Sequence, residues 1–454
     1  MTQVLATLKA DHIDTTRYGL GMTKFKQLCT KWGIASAQKQ GHTIETINAS
    51  MQELLLKFPK AGTPTLQNLL RTDYGIRVSQ EKVLTYLKTV HLEGVQERKK
   101  RKFKRKVFYA AGVNHIWVFD QHDKWSKFGL YLHVGVEPFS GKILWLVVWW
   151  TNSNPRYVTR QYLNTARRLG NIIPLISQSD PGSENNGIAN AHTAIRQHLD
   201  PSLAGTLQHR WMRRHNNIKP EIEWSVLRST WAPGFENLFE HGVNKGWYDP
   251  SHSLHYLVFR WLAIPFIQTE LDGYVARRNT TLKRANPKKA LPNGRPDMIF
   301  EKPERYNTVN FGINVPREVL DEAEAQWAPH DHPVFNLVPP YFATFVQEVY
   351  ASLGPQPPLS YSTFWEVYLH LLEACMALVN SGSAGRSVND LLSAQASAPA
   401  SGEDQGIPLL ENLTPVELGM HGVPKLVEAV EDRNPEEEEQ GIFAEFSDEE
   451  DELV

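Results

Sequence analysis

The chain switches between two hydrophobic periodicities. Over residues 1–95 the apolar positions recur every three or four residues, the spacing of helices with one buried face. Phe25, Leu28, Cys29 and Trp32 mark one helix, ended by Gly33, and Ile47, Met51, Leu54, Leu55 and Phe58 mark a second. Thr63-Pro64 opens a third, with a hydroxyl cap and a proline at the first helical position, and Leu66, Leu69 and Leu70 carry it to about Tyr74. Gly75-Ile76-Arg77-Val78 then turns the chain, and Ser79 caps a fourth helix with Val83, Leu84, Leu87 and Val90 inward. Two short helices joined by a glycine-containing turn are a helix-turn-helix or one more pair in a bundle.

From His115 the pattern becomes that of strands. Ile116–Phe119, Gly129–Val136 and Ile143–Trp150 are rich in β-formers, and Pro138-Phe139-Ser140-Gly141 turns between the last two. They predict an antiparallel meander. Pro155 opens a helix closed by Gly170, and Ile172–Ser177 predicts a fourth strand. A helix over Asn186–Leu199 and a short fifth strand over Thr206–Arg210 follow. Further helices are expected over Lys219–Ser229, Phe235–Val243, Ser253–Tyr274, Pro316–Trp327, Pro340–Leu353 and Ser362–Val379. Strands first, then strand–helix alternation, indicate an α/β mixed sheet flanked by helices and preceded by an all-helical domain. The expected layout is a helical, helix-turn-helix-like domain over 1–95, a basic linker over 96–112, a core over 113–300, a helical extension over 301–380 and an acidic, largely disordered tail over 381–454.

Composition narrows this picture. The 454 residues are 41% hydrophobic with 13 Trp, ample for a sizeable core. The longest apolar run, Ile143–Trp150, is too short to span a bilayer, so no membrane is expected. No secretory signal is read at the N-terminus, and Cys29 and Cys375 are too far apart in sequence to suggest a metal motif, which favours an intracellular setting. The net charge of −2 conceals an asymmetry: Glu428–Val454 holds 13 acidic residues and one basic. A basic body with an acidic tail suits a nucleic-acid-binding protein as well as a soluble protein with a solubilising tail. Arg98, Lys99, Lys100, Arg101, Lys102, Lys104, Arg105 and Lys106 form a run broken only by Phe103, suited to phosphate contact or nuclear import, or to a solvated linker. Arg277, Arg278, Lys283 and Arg284 make a second basic stretch.

The candidate chemistry lies in three acids. Asp120 ends the first strand, Asp180 follows the fourth, and Glu221 sits one turn into a helix. Polynucleotidyl transfer needs divalent ions that activate a nucleophile and stabilise a leaving oxygen, and a few carboxylates on rigid elements can hold them. Singly, an Asp after a strand is ordinary turn chemistry and a Glu in a first helical turn is ordinarily a dipole partner.

Three segments resemble the integrase-core family of fungal and other eukaryotic genomes, related to retroviral integrases and insertion-sequence transposases. His115–Trp125 is similar to its first-Asp strand, Ile176–Gly187 to its second-Asp segment, and His215–Arg228 to its segment of Asn, catalytic Glu and Trp. The resemblance runs from about His115 to Ile299. It implies a ribonuclease-H-like fold with a five-stranded mixed sheet, DNA as partner, a homo-oligomer as one form of assembly, and two Mg²⁺ or Mn²⁺ ions held by Asp120, Asp180 and Glu221. Glu223 rivals Glu221, and Asp123 rivals Asp120. Glu184, Asn185 and Asn217 become supporting or DNA-positioning groups, with His215 and Asn216 as substrate contacts. No His-His-Cys-Cys zinc module precedes the core and no small β-barrel is evident after it, unlike retroviral integrases. The implied activity is an Asp-Asp-Glu integrase or transposase, a genomic descendant of a mobile element among the readings. The rivals are a domesticated DNA-binding protein without catalysis and a nuclease of the same fold. Convergence of the three carboxylates separates these readings.

Overall fold

The computed structural model describes residues 2–34, 36–90, 109–212, 217–283, 291–397 and 406–415. The basic run Arg98–Lys106, together with Arg284, His215, Asn216 and the 428–454 acidic stretch, lies outside the described residues. The chain divides into two compact units: residues 1–101 with 229–234 and 447–454, and residues 102–228 with 235–446.

The first unit is helical: α1 (Thr2–Asp11), α2 (Met22–Lys31), α3 (Ala37–Gln40), α4 (Ile44–Lys57), α5 (Thr63–Asp73) and α6 (Gln80–Val90). Leu5, Phe25 and Cys29 make one small core between α1 and α2. Ile47, Met51, Leu66, Leu70, Val83 and Leu87 are buried on α4–α6. Gly75 adopts φ 67°, the left-handed region that favours glycine, where the chain leaves α5. The Gln40 amide clamps that turn, donating to Gly75 O at 3.2 Å and accepting from Arg77 N at 2.6 Å.

The second unit is built on a five-stranded sheet: β1 (Ile116–His122), β2 (Tyr131–Glu137), β3 (Lys142–Trp149), β4 (Ile176–Ser179) and β5 (His209–Trp211). Its order is β3-β2-β1-β4-β5, with β1–β2–β3 antiparallel and β1, β4 and β5 parallel. This mixed sheet flanked by helices is the ribonuclease-H-like architecture. The expected fourth strand, Ile172–Ser177, is split. Pro174 interrupts it, and Ile172–Ile173 pairs instead with Ile313–Asn314. The expected fifth strand divides likewise, Thr206–Leu207 pairing outside the sheet with Thr414–Pro415.

On one face, Trp117, Phe119, Tyr162, Ile188, Leu320 and Trp327 belong to one buried cluster. It brings together α7 (Pro155–Arg168), α8 (Asn186–Leu199) and α13 (Arg317–Trp327), so part of the expected helical extension is integral to the core. Helices α9 (Ile218–Thr230), α10 (Ala232–Asn244), α11 (Ser253–Thr280) and α12 (Pro296–Glu301) intervene in sequence, and α14 (Pro340–Ser352), α15 (Phe364–Asn380) and α16 (Arg386–Ser397) follow. The long α11 runs beside β3, whose outer backbone it satisfies with amide side chains. Asn279 accepts from Ile143 N and donates to Ile143 O, and Gln268 does the same for Val148 N and Leu146 O. Those amides stand in for a sixth strand and close an edge that would otherwise recruit another chain.

Two parts of the segment read as a disordered tail are ordered. One is α16; the other is residues 406–415, laid along the start of α8. Asn186 donates to Ile407 O at 3.0 Å, and Asn190 donates to Pro408 O at 2.8 Å while accepting from Leu410 N at 3.0 Å. Ile407 is buried in the main core cluster. The run Ile407-Pro408-Leu409-Leu410 supplies apolar surface that the surrounding acidic composition hides.

Candidate active site

Parallel pairing sets the two aspartates. Ile116, Trp117 and Val118 of β1 lie opposite Ile176, Ser177 and Gln178 of β4. That register carries the two strands toward Asp120 and Asp180, and the charge of Asp180 bears on Asp120. Asp180 follows the last residue of β4, whereas Asp120 is the fifth residue of β1, which runs on to His122, so the first strand does not end at Asp120 as expected. Asp120 shares the parity of Ile116 and Val118, so it leaves the sheet on the face opposite Trp117 and Phe119.

Helix α9 is pinned to these strands. Asn217, fully buried, donates to Phe119 O at 2.6 Å and accepts from Gln178 Nε2 at 3.4 Å, linking β1 and β4. Pro220 falls in the first turn of the helix, where its missing N–H costs nothing, and Glu221 lies in the same turn. One turn further, Trp224 Nε1 donates to Asp120 Oδ2 at 2.9 Å. The His122 ring stacks on Trp224, with centroids 4.9 Å apart at 17°.

The electrostatics of Asp120 report the assembly. Burial raises its carboxyl most, followed by the charge of Asp180, with a smaller push from Glu221; the Trp224 hydrogen bond opposes them, and the pKa settles at about 8. Asp180 and Glu221 therefore both bear on Asp120. Among the described residues, however, no three acidic, histidine or cysteine side chains form a group that could hold a metal ion as placed. His122 is pushed down to about 4, by burial first and then by the cations Arg228 and Lys124.

The rivals are occupied otherwise. Glu223 is buried and paired with Arg278, at 2.6–3.1 Å, with Lys283 Nζ 3.7 Å away. Burial raises its pKa, but Arg278 and Lys283 outweigh that and hold it below the usual carboxylate value. Arg278 and Lys283, read from sequence as nucleic-acid contacts, are thus turned inward, because a buried carboxylate needs counter-charge. Arg277, in the last turn of α11, is half-buried. Asp123 is exposed beyond β1 and accepts from Asn152 Nδ2 at 2.7 Å.

Between Asp180 and α8, Glu184 folds its carboxylate back beneath Gly182, so close that a side chain on Gly182 would collide with it. Asn185 donates to Glu184 Oε1 at 2.9 Å and to Asp180 O at 3.3 Å. Its Oδ1 is buried without a hydrogen-bond partner among the described residues. Sequence reasoning missed His122, the Trp224–Asp120 bond, the cations Lys124 and Arg228 that bear on His122, and Lys219, which bears on Glu223. The Trp of the third motif was the available signal, but nothing local named its partner.

Residues 107–293 match the family model described as integrase core domain. This segment is similar to integrase cores. Among solved structures, the chain matches one from a cryo-electron-microscopy structure of the simian T-cell lymphotropic virus intasome in complex with PP2A regulatory subunit B56 gamma. The match is 16% identical, covers 57% of this chain and 75% of that one, and has a TM-score of 0.27, too low to carry a fold argument. No curated protein sequence matches.

Proposed function

We propose that the protein is a metal-dependent polynucleotidyl transferase of the integrase or transposase kind, acting on DNA. The observation that supports it most is that the charges of both Asp180 and Glu221 bear on the buried carboxyl of Asp120, which lies on a strand paired in parallel with the one that precedes Asp180. Divalent ions would relieve that mutual repulsion, and the buried, unpartnered Oδ1 of Asn185 is a further oxygen beside the same loop. The donor set of hard oxygens suits Mg²⁺ or Mn²⁺. Asp120, Asp180 and Glu221 would hold them, and the ions would supply activation of a water or 3′-hydroxyl and stabilisation of the leaving oxygen. The pairing of Glu223 with Arg278 favours Glu221 over Glu223 in that role.

The chain's own residues position the acids. Asn217 ties the helix start to β1 and β4, and Trp224 holds one oxygen of Asp120. Lys124, Lys219 and Arg228 would meet phosphates. The test is a Mg²⁺- or Mn²⁺-dependent nicking or strand-transfer assay with wild type and Asp180→Asn. Activity in the wild type alone supports the reading, and indistinguishable activities remove Asp180 from it.

A second reading has its own observation: no ready three-ligand group stands among the described residues. It is a DNA-binding protein of integrase descent that no longer catalyses. Calorimetric titration with Mn²⁺ separates the two, since the second predicts no binding for Asp120→Asn to abolish.

A further inference from the structure

In a helix-turn-helix, the second helix of the pair, α6, would be the one that reads the groove, but charge in the first unit points elsewhere. From Thr15 to Ile44 there is no Asp or Glu, while Arg17, Lys24, Lys26, Lys31 and Lys39 are all present and exposed. From Thr63 to Val90, which includes α5 and α6, four basic residues are offset by Asp73 and Glu81. Helix α2 is sharply two-sided. Phe25 and Cys29 are buried, and Thr23, Lys24, Lys26, Gln27, Thr30 and Lys31 are exposed. At 100° per residue those six span about 160° of the helix, a continuous polar face with three cations and no anion. Lys39 of α3 donates to Thr30 Oγ1 at 3.2 Å, which adds a fourth cation beside the end of that face. On α6 the exposed face carries Glu81, and Lys82 is held by the carbonyl of His42 at 2.6 Å.

We infer that the exposed face of α2, with Lys39, is a docking surface for the phosphate backbone of duplex DNA. A helix face 10 residues long with cations at both ends and short hydroxyl and amide groups between them matches a backbone. Thr23 and Gln27 can donate to phosphate oxygens, while the Thr30 hydroxyl donates to Lys26 O and accepts from Lys39, and no anion lies on the face. Exposed Trp32 and Ile34 follow at its carboxyl end. The inference rests on the DNA reading above and assigns its sequence-independent contacts to one surface.

The test uses the full chain and a labelled duplex of about 30 bp, with binding followed by fluorescence anisotropy between about 50 and 300 mM salt. Removing one phosphate neutralisation should lower the slope of log affinity against log salt by about 0.9. The variant Lys24→Gln/Lys26→Gln/Lys31→Gln is expected to reduce the slope by roughly 2–3 units and the affinity at low salt by at least about tenfold. Lys82→Gln/Lys88→Gln on α6 is expected to have a smaller effect. Circular dichroism and melting establish that both variants are folded, and Lys→Arg at the same three positions should retain binding. A folded α2 variant with an unchanged slope, or an α6 variant that accounts for the whole decrease, overturns the surface while leaving DNA binding intact. A wild type that binds no duplex at the lowest salt overturns both.

Discussion

Asp120 and Trp224 form a pair whose chemistry can be separated from its packing. Trp224→Phe keeps a ring over His122 but removes the N–H that holds Asp120 Oδ2. The expected result is a folded protein whose Mn²⁺ affinity falls roughly 10- to 100-fold, the usual cost of losing a group that orients a ligand. Unchanged Mn²⁺ titration would show the bond to be incidental. Asp120 also carries a pH signature. Its folded pKa of about 8 lies above the ordinary 3.8, so the native state keeps a proton that the unfolded chain releases. Stability from this group is full below the unfolded value and lost as pH rises through about 8. Without metal, the protein should melt at a higher temperature at about pH 5.5 than at about pH 8.5. Asp120→Asn should flatten that difference and raise the melting temperature at the higher pH, by roughly 2–4 °C for each kcal/mol relieved. A variant with the same pH slope as wild type would show that this carboxyl is not the source.

At the scale of elements, two interactions hold segments in place and give opposite lessons about legibility. Glu223 anchors α9 to the end of α11 through Arg278. Removing one partner of a buried pair leaves a charge without compensation, so Glu223→Gln should cost about 3–5 kcal/mol in urea unfolding and spare Mn²⁺ binding. Loss of metal binding with full stability would exchange the roles of Glu223 and Glu221. The 406–415 strap makes its own case. Ending the chain after Gln405 removes Ile407 from the core and strips Asn186 and Asn190 of their partners, whereas ending it after Pro415 keeps both. The shorter chain should melt several degrees lower and show faster amide exchange at the start of α8; equal melting temperatures would make the strap an ornament. The helices were legible because each needs one apolar face, and the periodicity is local. Strands β1 and β3 were legible as apolar runs. The split at Pro174, the amides of Gln268 and Asn279 along β3, and the strap were not, because each depends on a partner tens to hundreds of residues away. The three acids were named through the motif resemblance, and their spacing alone said little. The argument that favours Glu221 over Glu223 rests on the Arg278 pairing, which no local pattern announces.

For the molecule as a whole, charge is divided along the chain more than it is summed. Residues 416–454 carry 14 acidic and two basic side chains, so a chain ending at Pro415 moves from a net charge of −2 to +10. The acidic stretch reduces the attraction of the basic body for any polyanion, whether it lies close to the basic surfaces or acts only through its field. Screening sets the range of that effect: about 10 Å at 0.1 M salt and about 3 Å at 1 M. Removal of 416–454 should therefore strengthen duplex DNA binding several-fold at about 50 mM salt, and the gain should shrink steeply by about 300 mM. The strap is retained in that truncation, so a change in melting temperature would point to folding, and its constancy isolates the electrostatic term. Equal affinities at low salt would mean that the tail's charge is already neutralised elsewhere. A gain that persists at high salt would mean that the tail covers a binding surface by direct contact instead of by charge.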